Sequence, residues 1–284
     1  MKYIVKDKSG KGYKALSTIH LNGASYDSSV KDDKTKHITI RTDILTDLLK
    51  EQNYNCAYCL KEIILDNATI EHIISQSFND GSQKYDYDDL IKEYKSNLEN
   101  IIGKIKPKDK KSIGQRHDTN YANMLAVCKG NSCGNSSHCD ASRSVFQEKR
   151  PLLFIFPLNK IQMDNIKFSQ TGLIYYKEPI SKESLLQNIE NERKQPSDYL
   201  NLDEDRNIRY DLYHILNLNC DSIQEQRKRV LGAIKRALVK VRFNSKIVKG
   251  YLESFETKDN KYSHFCKDYG EFSQVAIFEL KKHI

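Results

Sequence analysis

Cys56-Ala-Tyr-Cys59 sets two thiols at a spacing that lets both reach one tetrahedral metal ion with little backbone strain. Farther along, Cys128, Cys133, His138 and Cys139 supply a second group of soft ligands. Cys56, Cys59, Cys128 and Cys139 form the preferred set for a structural Zn²⁺, with Cys133 or His138 as an alternative ligand. Of the seven cysteines, an odd number, five fall between Cys56 and Cys139, while Cys220 and Cys266 lie outside. Such clustering points to metal rather than to disulfides. Between the two groups runs Thr69-Ile-Glu-His-Ile-Ile-Ser75, with a carboxylate beside an imidazole. Adjacent side chains diverge along a regular strand, but at a strand end the chain can bend so that one holds a metal while the other meets a water. Phosphodiester hydrolysis needs both parts, a base to activate water and a hard cation to stabilise the leaving oxygen. Imidazole suits the first task, and carboxylate oxygen on Mg²⁺ the second.

Strands and helices must carry these residues. Residues 2–5 read as a short strand and 6–36 as a polar, irregular lead-in. From Thr42 onward, Ile44, Leu45, Leu48 and Leu49 recur at helical spacing, which predicts a helix ending near Asn53. Segments 62–65 and 69–73 are β-prone and flank Asp66-Asn67, which predicts a hairpin. Leu90, Tyr94, Asn97, Leu98, Ile101 and Ile102 follow another helical stripe, after which lysines crowd the loop 104–111. Segments 152–156 and 168–176, the latter turning at Thr171-Gly172, read as strands that close a first domain. Beyond them 181–193, 205–216, 222–243, 246–255 and 263–282 all carry helical periods. No internal repeat or low-complexity tract interrupts the chain.

The net charge of +8 favours an anionic partner, because cations near phosphates gain from neutralisation and counterion release. Residues 227–242 hold seven Lys or Arg and no acid, yet Val230, Ile234, Ala237, Leu238 and Val241 share one helical face. Lys228, Lys235 and Arg242 line up at seven-residue steps beside a row of Arg229, Arg236 and Lys240. Such rows can track a phosphate backbone, which makes Lys228, Lys235 and Arg242 candidate nucleic-acid contacts. A solvated face or a protein contact is the other reading. Apolar residues are too scattered for a membrane-crossing helix, and the N-terminus lacks the apolar stretch of a secretory signal, so a cytoplasmic location is expected.

Taken in order, Cys56-x-x-Cys59, Glu71-His72, Asn123-Met-Leu-Ala-Val-Cys128 and Cys139-Asp-Ala-Ser-Arg143 resemble the HNH endonuclease superfamily. The resemblance covers residues 40 to 145. Met1-Lys-Tyr-Ile, Leu49-Lys-Glu-Gln, Tyr121-x-Asn-x-Leu, His138-Cys-Asp and Leu216-Asn-Leu-Asn extend it toward the PtuB-type nucleases of Septu and retron anti-phage systems, which accompany an ABC-type (SMC-like) ATPase. Glutamate stands where aspartate is commoner before His72, Ser75 where proline is usual, and a lysine-rich insertion precedes Asn123. The resemblance implies an α+β fold: a ββα-metal core with a zinc knuckle in a nuclease domain over 1–178, then a mostly helical domain over 179–284 for partner docking or nucleic-acid contact. It makes His72 the general base, Glu71 and Asp140 ligands of a catalytic Mg²⁺ or Mn²⁺, Asn123 the residue that holds the histidine, and Arg143 a contact to the scissile phosphate. DNA is the expected substrate. The alternatives are a ribonuclease acting on RNA such as transfer RNA, and a catalytically inactive, zinc-stabilised binding subunit.

Overall fold

The computed structural model describes residues 1–31, 36–76, 117–130, 137–146, 153–181, 183, 184, 187, 203–256 and 272–284. Its architecture mixes α and β, with two small antiparallel sheets among helices. The helical stripe after Thr42 belongs to a helix that starts earlier, α2 (Lys36–Glu51), and its Ile44, Leu45, Leu48 and Leu49 are buried as that stripe requires. The stretch read as an irregular lead-in instead forms α1 (Lys11–Leu21) and a π-helical turn (Asp27–Lys31). What makes α1 is packing. Its N-cap residue, Gly10, offers no side-chain hydrogen bond. Asp47 of α2 does the capping, accepting the Gly12 N–H at 2.7 Å and the Tyr13 N–H at 3.2 Å. Gly12 lies so close to α2 that a Cβ there would sit 2.4 Å from the Ile44 Cα.

The expected hairpin across Asp66-Asn67 does not form. Residues 64–67 make a tight turn, in which Asn67 Oδ1 accepts the Ile64 N–H at 2.8 Å. Ile64 and Leu65 stay exposed, so this segment has no buried face to offer a partner strand. Instead β1 (Ala68–His72) pairs antiparallel with β2 (Met124–Cys128), putting Glu71 opposite Leu125 and His72 opposite Met124. Every residue of β2 is buried, which gives β1 a fully covered partner. Helix α3 (Cys139–Ser144) follows and packs on β2.

Residues 153–156 are buried but form no strand, a second departure from expectation. Side chains take the place of a ladder there: Asp211 Oδ2 accepts the N–H groups of Phe154 and Ile155, and Gln162 Oε1 that of Phe156. After α4 (Lys160–Asp164), the hairpin turning at Thr171-Gly172 is present as β3 (Ile166–Phe168) and β4 (Ile174–Tyr176). Residues 2–5 pair with no strand among the described residues, although the Ile4 N–H reaches the Pro157 carbonyl at 3.0 Å. The C-terminal part contains α5 (Glu204–Tyr210) running into a π-helical turn (Asp211–Ile215), then α6 (Asp221–Lys240), α7 (Ser245–Glu256) and α8 (Ser273–Leu280). The helix expected over 90–102, the lysine-rich loop, Cys133 and Cys266 lie outside the described residues, as does most of 181–193.

Buried apolar side chains from Ile4 to Leu280 belong to one cluster, so the C-terminal helices share a core with the strands. Backbone bonds cross between the parts as well: the Cys139 N–H donates to the Leu216 carbonyl at 2.9 Å. No helix among the described residues is long and apolar enough to cross a membrane.

Candidate metal centre and the adjoining site

Three pieces of chain bring four thiols together: the turn after α2 (Cys56, Cys59), the end of β2 (Cys128) and the first residue of α3 (Cys139). Gly130 makes the return from β2 to α3 possible. It adopts φ +72°, and a Cβ there would fall 1.7 Å from the His138 carbonyl oxygen, so no other residue fits. Cys139 itself takes φ 51°, an uncommon value for a residue with a side chain. All four Sγ atoms are buried and lie within 4.8 Å of one another. Cys56 to Cys139 is 3.8 Å and Cys59 to Cys128 is 3.7 Å. Thiolates bound tetrahedrally at about 2.3 Å from one ion stand roughly 3.8 Å apart, whereas a disulfide needs about 2.05 Å. The four are free thiols at the spacing of metal ligands, and together they can hold an ion such as zinc. His138 Nδ1 sits beside them, 3.2 Å from Cys139 Sγ and 3.8 Å from Cys128 Sγ.

Electrostatics agree with that assignment. Burial pushes the Cys139 thiol well above its ordinary value, reinforced by its thiol neighbours. Burial also works against ionising Cys59, but hydrogen bonds from Cys128, Cys139, Cys56 and His138 outweigh it and hold that thiol well below its ordinary value. Four buried thiols therefore cannot all ionise by themselves, and a divalent cation among them reverses that balance.

Glu71 and His72 end β1. The Glu71 carboxylate is buried and ion-paired with the equally buried Arg143 of α3. Arg143 also donates to the carbonyls of His72 at 2.6 Å and Ile73 at 2.7 Å. Expected at the scissile phosphate, this guanidinium instead ties α3 to the end of β1, because a cation so deep must be met by acceptors. Burial lowers its pKa, with Tyr58 and Asp211 working the other way.

His72 Nε2 lies 2.9 Å from the Asp118 carbonyl oxygen. A carbonyl only accepts, so Nε2 is the donor, which in the neutral ring leaves the basic lone pair to Nδ1. The Tyr26 ring meets the imidazole edge-on at 5.0 Å, and the Tyr26 N–H in turn donates to Asp118 Oδ2 at 2.8 Å. Asn123 does bond across the loop, but to backbone rather than to the imidazole. Its Oδ1 accepts the Ile74 N–H at 2.8 Å, and its Nδ2 donates to the carbonyls of Ile74 at 3.1 Å and His117 at 2.9 Å. His117 Nε2 then donates to the Ser75 carbonyl at 2.8 Å. Tyr26 and Asp118 thus meet the His72 ring, His117 ties Ser75 and Asn123 together nearby, and motif spacing gave no sign of them. The one available signal was a His-Asp pair shortly upstream of Asn123.

Asp140 sits half-buried in the first turn of α3, and burial raises its carboxyl above the ordinary value. Among the described residues, the four cysteines are the one group of three or more His, Cys, Asp or Glu whose ligand atoms converge, and neither Glu71 nor Asp140 belongs to such a group. On α6, Lys228 and Lys235 are exposed; Arg242 is exposed too but falls past the helix end at φ 50°. Arg227 faces inward, donating to the Gly172 carbonyl at 2.8 Å and to that of Leu218. Burial lowers its pKa to about 10. The chain matches no protein-family model, no curated protein and no solved structure.

Proposed function

We propose that the protein is a metal-dependent endonuclease of the HNH type that hydrolyses phosphodiester bonds of DNA, acting in anti-phage defence with an ABC-type ATPase. One juxtaposition carries this assignment. β1, β2 and α3 follow one another in ββα order around four cysteines suited to one ion, with Glu71 and His72 ending β1 and Asp140 opening α3. In this scheme the four cysteines hold a structural Zn²⁺. His72, through Nδ1, takes the proton of the attacking water while Asp118 keeps the ring in one tautomer. A catalytic Mg²⁺ or Mn²⁺, when held by Glu71 and Asp140, would stabilise charge on the leaving oxygen. Glu71 would share or exchange its Arg143 partner to reach that ion.

The deciding assay incubates zinc-loaded protein, with and without the ATPase, with Mg²⁺ or Mn²⁺ and a panel of DNA and RNA. Cleavage of DNA that is lost in His72→Ala supports the assignment, and cleavage confined to RNA moves it to a ribonuclease. Absence of cleavage under every condition overturns it. A second function, a zinc-stabilised binding subunit without catalysis, is favoured by the burial of Glu71 against Arg143. Nucleic-acid binding by zinc-loaded protein that cuts nothing would establish that alternative.

A further inference from the structure

Helix α6 turns one face to the core through Ile223, Arg227, Val230, Leu231, Ile234 and Leu238. On its outer face, at 100° per residue, Lys228 and Lys235 form one row and Arg229, Arg236 and Lys240 another, together covering an arc of about 140°. All five are exposed. Glu225 pairs with Lys228 at 3.5 Å and Arg229 at 3.7 Å, both near the helix start. Lys235, Arg236 and Lys240 have no ion-pair partner among the described residues, and Arg236 and Lys240 stand in like-charge i,i+4 relation, which disfavours a helix left to itself.

Gly232 lies in the middle of this arc, between the two rows. Glycine is a poor residue for a helix interior and is kept there when a neighbour needs the space. None of the described residues does: among them a Cβ at Gly232 would meet nothing closer than Arg236 Nη1 at 3.5 Å. Between Glu225 and Val239 on the outer face of α6, Gly232 therefore leaves a dip without side chain, flanked by two rows of cations about 18 Å long.

We propose that this notch seats the phosphate backbone of a nucleic-acid duplex. Two cation rows with a dip at Gly232 between them can neutralise phosphates from both sides while the backbone approaches the helix there. A single strand fits less well, because single-strand sites stack bases on aromatic rings and this arc carries none. An acidic protein surface would be met by the cations alone and has no use for the glycine. The binding surface stands whether or not the chain cuts nucleic acid, so it is tested without catalysis.

The experiment measures fluorescence anisotropy of a short labelled DNA duplex with the full, zinc-loaded chain, without added Mg²⁺, over a range of salt. The combined variant Lys235→Gln, Arg236→Gln and Lys240→Gln should weaken binding at least about tenfold and flatten the salt slope by roughly three. The variant Lys8→Gln, Lys50→Gln and Lys167→Gln removes the same charge from other exposed positions and should bind nearly as the parent does. Gly232→Gln adds bulk without charge and should weaken binding several-fold at an unchanged slope; circular dichroism and zinc content verify folding. Equal losses in both triple variants, no effect of Gly232→Gln, tighter binding of a single strand, or displacement by polyglutamate as readily as by unlabelled duplex would each overturn the proposal. Binding here together with absence of cleavage in the Mg²⁺ and Mn²⁺ assay would sink the nuclease assignment and leave this surface in place.

Discussion

His72 and Asn123 lie close in the fold yet answer to different measurements. His72 is assigned to proton transfer, so His72→Ala should lower the cleavage rate by about 10² to 10⁴ with zinc content that of the parent, while loss of its buried bond to Asp118 costs about 1–3 kcal/mol of stability. Wild-type cleavage by that variant would move the active site elsewhere. Asn123 commits its whole amide to the backbone of Ile74 and His117. Asn123→Ala leaves buried donors and acceptors unmet, at about 1–3 kcal/mol each, so a urea titration should read a loss of roughly 3 kcal/mol or more. A loss under about 1 kcal/mol would mean water replaces the amide there. Lys6 supplies a pH signature. It is buried beside Glu51, 3.3 Å away, and burial lowers its ammonium from 10.5 to about 8 although Glu51 pulls the other way. The unfolded chain therefore holds this proton more tightly, and stability should rise with pH between about 8 and 10.5. Tyrosines such as Tyr26, pushed up to about 12 by burial, act in the opposite sense above pH 10, so the comparison is between parent and Lys6→Gln. The variant should lack the rise; parallel stability curves would show that Lys6 titrates normally.

Two glycines on helices, given the same substitution, should respond with opposite signs. Gly12 of α1 faces the backbone of Ile44 on α2, where an added Cβ would sit at 2.4 Å, so Gly12→Ala must push the helices apart. A destabilisation of about 1–3 kcal/mol is expected, despite the better helix propensity of alanine. At Gly232 of α6 a Cβ would make only an ordinary contact with Arg236 among the described residues, so Gly232→Ala should gain about 0.5–1 kcal/mol. Thermal melts of the two variants check both, and a shift of the same sign in each would refute the packing account. The contrast explains why α1 was missed and α6 was not. Helix α6 announces itself by an apolar stripe at 3.6-residue period. Helix α1 owes its capping to Asp47 and its close seat to Ile44, both on another helix, and no local pattern reports either.

Across the whole molecule the four-cysteine centre joins the turn after α2, the end of β2 and the start of α3, so metal should govern folding. A structural zinc contributes on the order of 10 kcal/mol, and chelation or Cys56→Ser should abolish the cooperative melt. Metal analysis that finds under half an equivalent of zinc in well-folded protein would reject this. Because the core is continuous from Ile4 to Leu280, a chain cut at residue 199 should be insoluble or molten, with loss of zinc binding. A soluble, zinc-loaded fragment would establish an independent N-terminal domain. The amino-acid sequence by itself pointed to the thiols that meet, with Cys133 or His138 open as an alternative, since Cys-x-x-Cys spacing and clustering reflect ligand geometry. It determined the 168–176 hairpin and the long C-terminal helices as well, because turn residues and apolar periods are local properties. The tertiary structure alone decided that β1 pairs with β2 instead of with its neighbour, that Arg143 serves Glu71 from inside the core, and that Tyr26 and Asp118 meet the His72 ring. Each of these is a contact between residues far apart in the chain, chosen by which buried surfaces and unmet polar groups remain when the pieces close on one another, and no period or spacing along the sequence encodes that choice.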